Sequence, residues 1–259
     1  MTNKSLGFVG GGRITRILLE GWKRAGKLPG KIIVSDCNAD TLVRLKARFP
    51  GIEVAPGGNA GAAAQDVVFL AVHPPVMAEA AAAINGKVQG GAVVISLAPK
   101  FTIAKLTGLM GGFARVARVI PNAPSAVNFG FNPICFGAAL APADRADITE
   151  LLAPLGECPE VAETKLEAYA LLTAMGPTYL WFQLQALREV AATLGLTEAE
   201  TGPALKRMVC GSARTLLESG LAPGEVMDLI PVKPLAEMEP QVTEMYRTRL
   251  PALFQKIKP

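Results

Sequence analysis

The sequence predicts an α/β fold, a doubly wound parallel sheet, followed by an all-α domain. Three observations carry this. Short apolar runs alternate with helix-like stretches through about the first 160 residues. Several runs are continuously apolar, as strands covered on both faces by helices must be. After about Ala162 the strand-like runs stop and long helical patterns take over. The boundaries read this way are residues 1–162 for the sheet domain and 163–259 for the helical domain.

Each element has its own signal. Leu6–Val9 is a first strand, followed by helix near Ile14–Ala25. Lys31–Ser35 is the next strand, followed by helix over Ala39–Arg48. Val67–Val72 and Val93–Ser96 are continuous apolar runs, bounded by Asp66, by Pro74-Pro75 and by Gly90-Gly91. Further strands are expected at Arg115–Ile120 and Ile134–Gly137, and the alanine-rich Ala78–Ala83 reads as helix. The later helices are Tyr179–Leu194, Glu198–Ser219 and Glu239–Lys256. Thr197 with Glu200 three residues on forms a capping box, and Gly220 is a helix stop. Strand–helix repetition then gives the doubly wound sheet.

Composition removes several classes of function. The 259 residues allow one large domain or two modest ones. Half are hydrophobic and 19% are charged, which excludes disorder as the main state. The net charge of +4 is mild and its signs are interspersed, so no nucleic-acid footprint is indicated. No apolar run approaches the ~20 residues of a membrane span. The start, Met-Thr-Asn-Lys-Ser, has no signal-peptide character, and the expected location is the cytoplasm. Cys37, Cys135, Cys158 and Cys210 form no CxxC pair, and His73 is the single histidine. No metal site and no Ser-His-Asp or Cys-His arrangement is expected, unless His73 serves one. The four cysteines read as reduced thiols, buried or inert.

The strongest local signal is Gly7-Phe8-Val9-Gly10-Gly11-Gly12-Arg13-Ile14-Thr15. Gly10 and Gly12 fit the first two glycines of a dinucleotide-binding turn between a first strand and a first helix. The first permits the tight turn. The second lets the backbone approach a pyrophosphate seated on the helix N-terminus, here Gly12, Arg13 and Ile14. The third position, usually Gly or Ala, is Thr15. Asp36 ends the second strand, about 25 residues past these glycines. An acidic residue there takes a ribose 2′-hydroxyl and repels a 2′-phosphate. The other reading of Asp36 is an Asx turn or helix N-cap. It tilts the coenzyme toward NAD over NADP, with Arg13, Lys31 and Arg44 able to counter it, so the coenzyme is written NAD(P)H. His73 follows a strand end and precedes a proline pair. It is either a contact to the ribose or amide of the coenzyme or a half-exposed helix cap. Trp22, Trp181 and Phe182 lie on helices at apolar spacing and read as core or dimer packing.

Beyond these signals, most of the chain resembles the pyrroline-5-carboxylate reductase family. The opening Gly-Phe-Val-Gly-Gly-Gly and Gly58-Asn59-Ala60 are similar to that family's, and Asn59 matches a coenzyme-contacting asparagine. Asp66 through Met77 resembles its DVVFLAVKPQ segment, with His73 in place of lysine. The resemblance thereby places Ala71, Val72, His73 and Pro74 at the coenzyme. Val94-Ile95-Ser96-Leu97-Ala98 is similar to its VISIAAG, and Arg118-Val119-Ile120-Pro121-Asn122-Ala123-Pro124 to its R-V-M-P-N-T-P. These imply Ser96 and Asn122 at the coenzyme, and Ala98 and Pro121 at the substrate. Thr173-Ala174-Met175-Gly176-Pro177-Thr178-Tyr179 is similar to S-G-S-G-P-A-Y, implying Thr173, Met175 and Gly176 at the substrate. The resemblance also implies a homodimer or higher ring built by the C-terminal helices, with an active site that combines two chains. Independently, Tyr179–Leu194 is apolar around most of its circumference, and such a helix needs more cover than a small domain gives.

The departures fall in the substrate half. The family's VTSPGGTT motif, which holds the substrate carboxylate and imine, aligns with Ile230-Pro231-Val232-Lys233-Pro234-Leu235-Ala236-Glu237. None of its Ser, Thr or Gly residues is kept. The glycine of AAG is Lys100, preceded by Pro99. Candidate anion receptors are Lys100, Lys233 and the N–H groups opening the Pro177 helix. Glu237 is the candidate to stabilise an iminium cation. The other reading of both lysines is solvated surface charge. The function these residues imply is NAD(P)H-dependent reduction of a cyclic imino acid, pyrroline-5-carboxylate first. The alternatives are a related reductase or dehydrogenase with another substrate, and a non-catalytic dinucleotide-binding member.

Overall fold

The computed structural model describes residues 4–259, so the start of the expected signal-free N-terminus lies outside the described residues. The chain forms two compact units, one ending at Met175 and rejoined by Phe254–Pro259, the other Gly176–Leu253.

The first unit carries the strands β1 (Leu6–Val9), β2 (Ile32–Asp36), β3 (Glu53–Pro56), β4 (Val67–Leu70), β5 (Val93–Ser96), β6 (Val116–Val119), β7 (Gly130–Phe131), β8 (Ile134–Phe136) and β9 (Gly156–Glu157). The main sheet runs in the order β3-β2-β1-β4-β5-β6-β8. Its first six strands are parallel, and β8 closes the edge antiparallel to β6. β7 and β9 pair separately. The order reverses between β1 and β4, which is the switch point of a doubly wound sheet.

The helices of this unit are α1 (Arg13–Arg24), α2 (Ala39–Arg48), α3 (Ala60–Ala63), α4 (Pro74–Ala83), α5 (Ile103–Leu109), α6 (Pro142–Leu152) and α7 (Leu166–Tyr169). Asn38 caps α2 by accepting the Thr41 N–H at 3.1 Å, and Thr102 caps α5 by accepting the Lys105 N–H at 3.1 Å. A short π-helical turn, Ala170–Ala174, ends the unit.

The continuous apolar runs have a direct cause. Successive residues of one strand feed two different cores. Leu6, Phe8 and Phe69 pack with Leu18, Leu19 and Trp22 of α1 and with Leu151 and Leu152 of α6. Val9, Val68 and Leu70 pack on the other face with Met77 and Ala81 of α4 and Leu106 of α5. Phe8 stacks on Phe69 with centroids 4.7 Å apart. Trp22 is fully buried, and its indole N–H donates to the Leu151 carbonyl at 2.8 Å. Of the aromatics expected in core or dimer packing, Trp22 is therefore core.

The second unit contains α8 (Pro177–Thr193), α9 (Glu198–Glu218), α10 (Pro223–Asp228) and α11 (Glu239–Ile257) as far as Leu253. Thr197 opens α9, and its N–H and hydroxyl both reach Glu200 Oε2, at 2.8 and 2.6 Å. Those bonds hold the Glu200 carboxyl below its usual range. Tyr179 and Tyr246 meet edge to face at 5.7 Å. Thr201 is the only buried residue among those described here. Trp181 and Phe182 stand 53% and 68% exposed.

Three findings differ from the expectations. β3 was not foreseen; it is a half-exposed edge strand carrying Glu53 and Pro56, so it has no apolar run to betray it. The unit division falls after Met175, thirteen residues past the boundary expected at 162. The segment between them is helical, but its carboxylates pair with Arg118 of the sheet. Finally, Cys37 and Cys210 are exposed rather than buried. Cys158 fits the inert reading, with burial pushing its thiol up to about 12.

Candidate active site

One crevice of about 770 Å³ opens at the carboxyl ends of β1, β2, β4, β5 and β6. Parallel α/β sheets bind ligands at this position. The turn after β1 forms its floor. Gly10 sits at φ 107°, and a Cβ there would lie 2.6 Å from the Ala71 carbonyl oxygen. Only glycine fits that backbone. Gly12 is different: a Cβ would meet nothing within 4 Å, so the space above it belongs to the crevice. Thr15, in the position usually held by a small residue, is fully buried, and its hydroxyl donates to the Gly10 carbonyl at 2.6 Å. That bond explains why a larger residue is accommodated there.

Of the two readings of Asp36, the structure shows the turn directly. Its Oδ1 accepts the Asn38 N–H at 2.8 Å, an Asx turn, and its Oδ2 accepts the Gly11 N–H at 2.8 Å while the residue lines the crevice. The carboxylate is thus locked beside the glycine turn. The Ser35 hydroxyl donates to Asn59 Oδ1 at 2.8 Å, so the Asn59 amide faces its surroundings as an N–H donor. His73 is the N-cap residue of α4, makes no side-chain cap bond and lines the crevice.

The lining includes Gly10, Gly12, Arg13, Ile14, Asp36, Asn59, Ala71, Val72, His73, Pro74, Ala98, Pro121 and Asn122, all singled out by sequence. Ser96 does not line it: its side chain is fully buried and its hydroxyl has no hydrogen-bonding partner. Thr173 stands behind the wall. Its hydroxyl donates to the Tyr169 carbonyl at 2.8 Å, and its own carbonyl accepts the Asn122 Nδ2 at 3.2 Å. Asn122 Oδ1 accepts the Phe131 N–H at 3.2 Å, so the side chain of Asn122 is occupied in shaping the wall. Lys100 follows Pro99, which lines the crevice. Met175 ends the first unit, whereas Gly176, Lys233 and Glu237 belong to the second. The lining also includes Ser35, Cys37 and Gly57, which sequence reasoning missed. The signal that could have found Cys37 is its place directly after β2.

A sheet with this strand order, and a glycine turn at its switch point beside an acidic strand end, is the architecture of a dinucleotide-binding protein. Residues 5–100 match the model of the family described as NADP oxidoreductase coenzyme F420-dependent. Within that class the chain is similar to the pyrroline-5-carboxylate reductases. It is 28% identical to the pyrroline-5-carboxylate reductase of Escherichia coli (strain K12) over 228 residues, 88% of this chain and 84% of the relative. The pyrroline-5-carboxylate reductase structure from Coxiella burnetii superposes with a TM-score of 0.70 at 26% identity, covering 99% of this chain and 95% of that one. The pyrroline carboxylate reductase of Plasmodium falciparum, solved with NADP bound, superposes with a TM-score of 0.75 at 18% identity, with the same coverage.

Proposed function

We propose that this chain reduces a cyclic imino acid, pyrroline-5-carboxylate to proline, with NAD(P)H. One observation supports it most: the glycine turn and the segments at Ala98 and Pro121–Asn122 line a single crevice. The coenzyme supplies the hydride. The first-turn N–H groups of α1 lack intrahelical acceptors and are suited to a pyrophosphate. Asp36 and Asn59 serve the adenosine side, and Ala71, Val72, His73 and Pro74 the middle of the crevice. Ala98, Pro121 and the wall built by Asn122 and Thr173 bound the substrate end.

The chain has few proton donors to offer. His73, Cys37, Asp36, Glu79 and Arg13 are the ionisable residues lining the crevice. An imine that arrives protonated needs no protein acid, only a carboxylate receptor and correct placement. Lys100 and Lys233 are the receptors proposed here, Glu237 is the proposed partner of the iminium charge, and Met175 and Gly176 keep their expected roles toward the substrate. We place the enzyme in the cytoplasm, as a homodimer formed by the C-terminal helices. Among the described residues no helix is long and apolar enough to cross a membrane.

Asp36 gives the coenzyme choice a direction. A fixed carboxylate beside the ribose favours a 2′-hydroxyl over a 2′-phosphate. NADH is therefore expected to bind more tightly than NADPH, and Asp36→Asn should narrow the gap in a fluorescence titration.

A second reading, another imine or carbonyl substrate, is favoured by one feature. Pro231 and Pro234 remove two N–H donors from the stretch aligned with the substrate motif. Losing a hydrogen bond to a charged group costs about 1.5–3 kcal/mol. Two such losses lower kcat/KM roughly two to four orders of magnitude unless the lysines compensate. A coupled assay with pyrroline-5-carboxylate and both reduced coenzymes tests this, backed by rescue of a proline auxotroph. Turnover that falls about tenfold or more in Lys233→Ala or Lys100→Ala is the expected result. Absence of turnover with either coenzyme would sink the primary reading.

A further inference from the structure

Lys100 is one of two non-glycine residues with positive φ among the described residues, at φ 76°. A lysine gains nothing from that backbone region, and side chains with a Cβ are strained in it. It sits between Pro99, which lines the crevice, and buried Phe101. The surroundings show what holds it there. The Lys100 N–H donates to Glu167 Oε1 at 3.2 Å. Three residues on, the Ile103 N–H donates to Glu163 Oε1 at 2.7 Å. Both carboxylates converge on one guanidinium. Arg118 NH1 donates to Glu163 at 3.0 Å and NH2 to Glu167 at 2.5 Å.

The depth of this cluster matters. Arg118 is fully inaccessible and Glu167 is 1% exposed. A buried charge persists only where its partners are fixed, and breaking such a pair leaves an uncompensated ion. Arg118 lies on β6, directly beside Ser96 of β5, so the clamp is anchored in the sheet itself, one strand in from its β8 edge. The turn that follows β5 is thereby pinned at two peptide groups by carboxylates from the segment that also carries Thr173. That segment braces the crevice wall through the bond from Asn122.

We propose that Glu167, backed by Arg118, is a positioning residue that holds Lys100 in its left-handed conformation and so fixes the Ala98–Lys100 edge of the crevice. The kinetic arm of the test rests on the reductase reading; the proteolytic arm does not. Lys100–Phe101 is a trypsin-cleavable bond inside the pinned turn. Limited trypsinolysis of the full-length protein, mapped by mass spectrometry, should find this bond protected in the parent. In Glu167→Gln it should be cleaved at least about tenfold faster, because local opening sets access to it. In the same variant KM for pyrroline-5-carboxylate should rise about tenfold, while the Kd for reduced coenzyme stays within about twofold.

Glycine adopts φ 76° without help. In a Lys100→Gly background, then, adding Glu167→Gln should cost less than about threefold in KM. Should Glu167→Gln fail to fold, Lys100→Gly alone still decides: relief of strain predicts a Tm at or above that of the parent. Three results would overturn the proposal. They are unchanged cleavage at Lys100–Phe101 in Glu167→Gln, an equal KM cost in both backgrounds, and a Tm lowered by Lys100→Gly.

Discussion

The two units of this molecule are built on opposite terms. The first buries two layers of side chains on either face of its sheet, with Phe8 stacked on Phe69 and Trp22 beneath them. The second is four helices in which Thr201 alone is buried, while Leu194 and Leu217 stand 75% and 80% exposed. The first has what a domain needs to fold alone. The second has the apolar surface of a core without the cover, and a surface of that kind is ordinarily closed by another chain.

The sharpest way to break this contrast is to charge the open face. Trp181→Glu with Phe182→Glu should weaken a homodimer about a thousandfold or more, since a few central aromatics dominate such interfaces. Light scattering would show monomer at micromolar concentration, with the near-ultraviolet signal of Trp22 kept. A parent that is already monomeric would refute the contrast itself. Trp22→Ala attacks the other unit and should cost about 3–5 kcal/mol in urea unfolding, the usual range for a buried tryptophan.

A pair of glycine variants sharpens the picture within the first unit. Gly12→Val should leave Tm near that of the parent yet weaken coenzyme binding about a hundredfold, because the added side chain enters open crevice space. Gly10→Ala should do the reverse and lower Tm, because its Cβ collides with the Ala71 carbonyl. Equal losses of Tm would show that the turn does not separate folding from binding.

The smallest effect is expected at Asp66. The Ser5 hydroxyl and N–H both donate to its Oδ2, at 2.7 and 2.8 Å, and hold its carboxyl below the usual range. A depressed pKa contributes stability above the unfolded value of 3.8 and loses it as pH falls through the lower folded value. The parent should therefore exceed Asp66→Asn in Tm at pH 7, and the difference should fade below about pH 4. A difference that persists unchanged into strong acid would assign the effect to something other than this charge.

How far these features could be read from sequence depended on how many residues shared a signal. Val67–Leu70 was legible because both of its faces are apolar, and the Gly10–Gly12 turn because its glycines answer a backbone requirement. β3 was silent because its residues are half exposed and satisfy no periodicity. Ser96 was placed at the coenzyme by the family resemblance alone; its side chain is buried in the sheet, in register with Arg118. The Arg118–Glu163–Glu167 cluster joins residues 45 and 49 positions apart, and no local pattern announces it. Asp36 was legible as a choice between two roles; Oδ1 makes the Asx turn, and Oδ2 is held by the Gly11 N–H at the edge of the crevice.

The return of the chain has a consequence of its own. Because Phe254–Pro259 rejoins the first unit and Ile257 is buried there, the 78 residues of Gly176–Leu253 are attached at both ends. They form a closed loop rather than a free arm. Were the second unit to melt while the last six residues stayed docked, its ends would remain joined, and its gain in chain entropy would be smaller by roughly 4 kcal/mol. A stop codon placed after Leu253 would remove that restraint together with the last turn of α11. On this account Phe254–Pro259 would act as a clasp, and its removal should let the helices it encloses fray more readily.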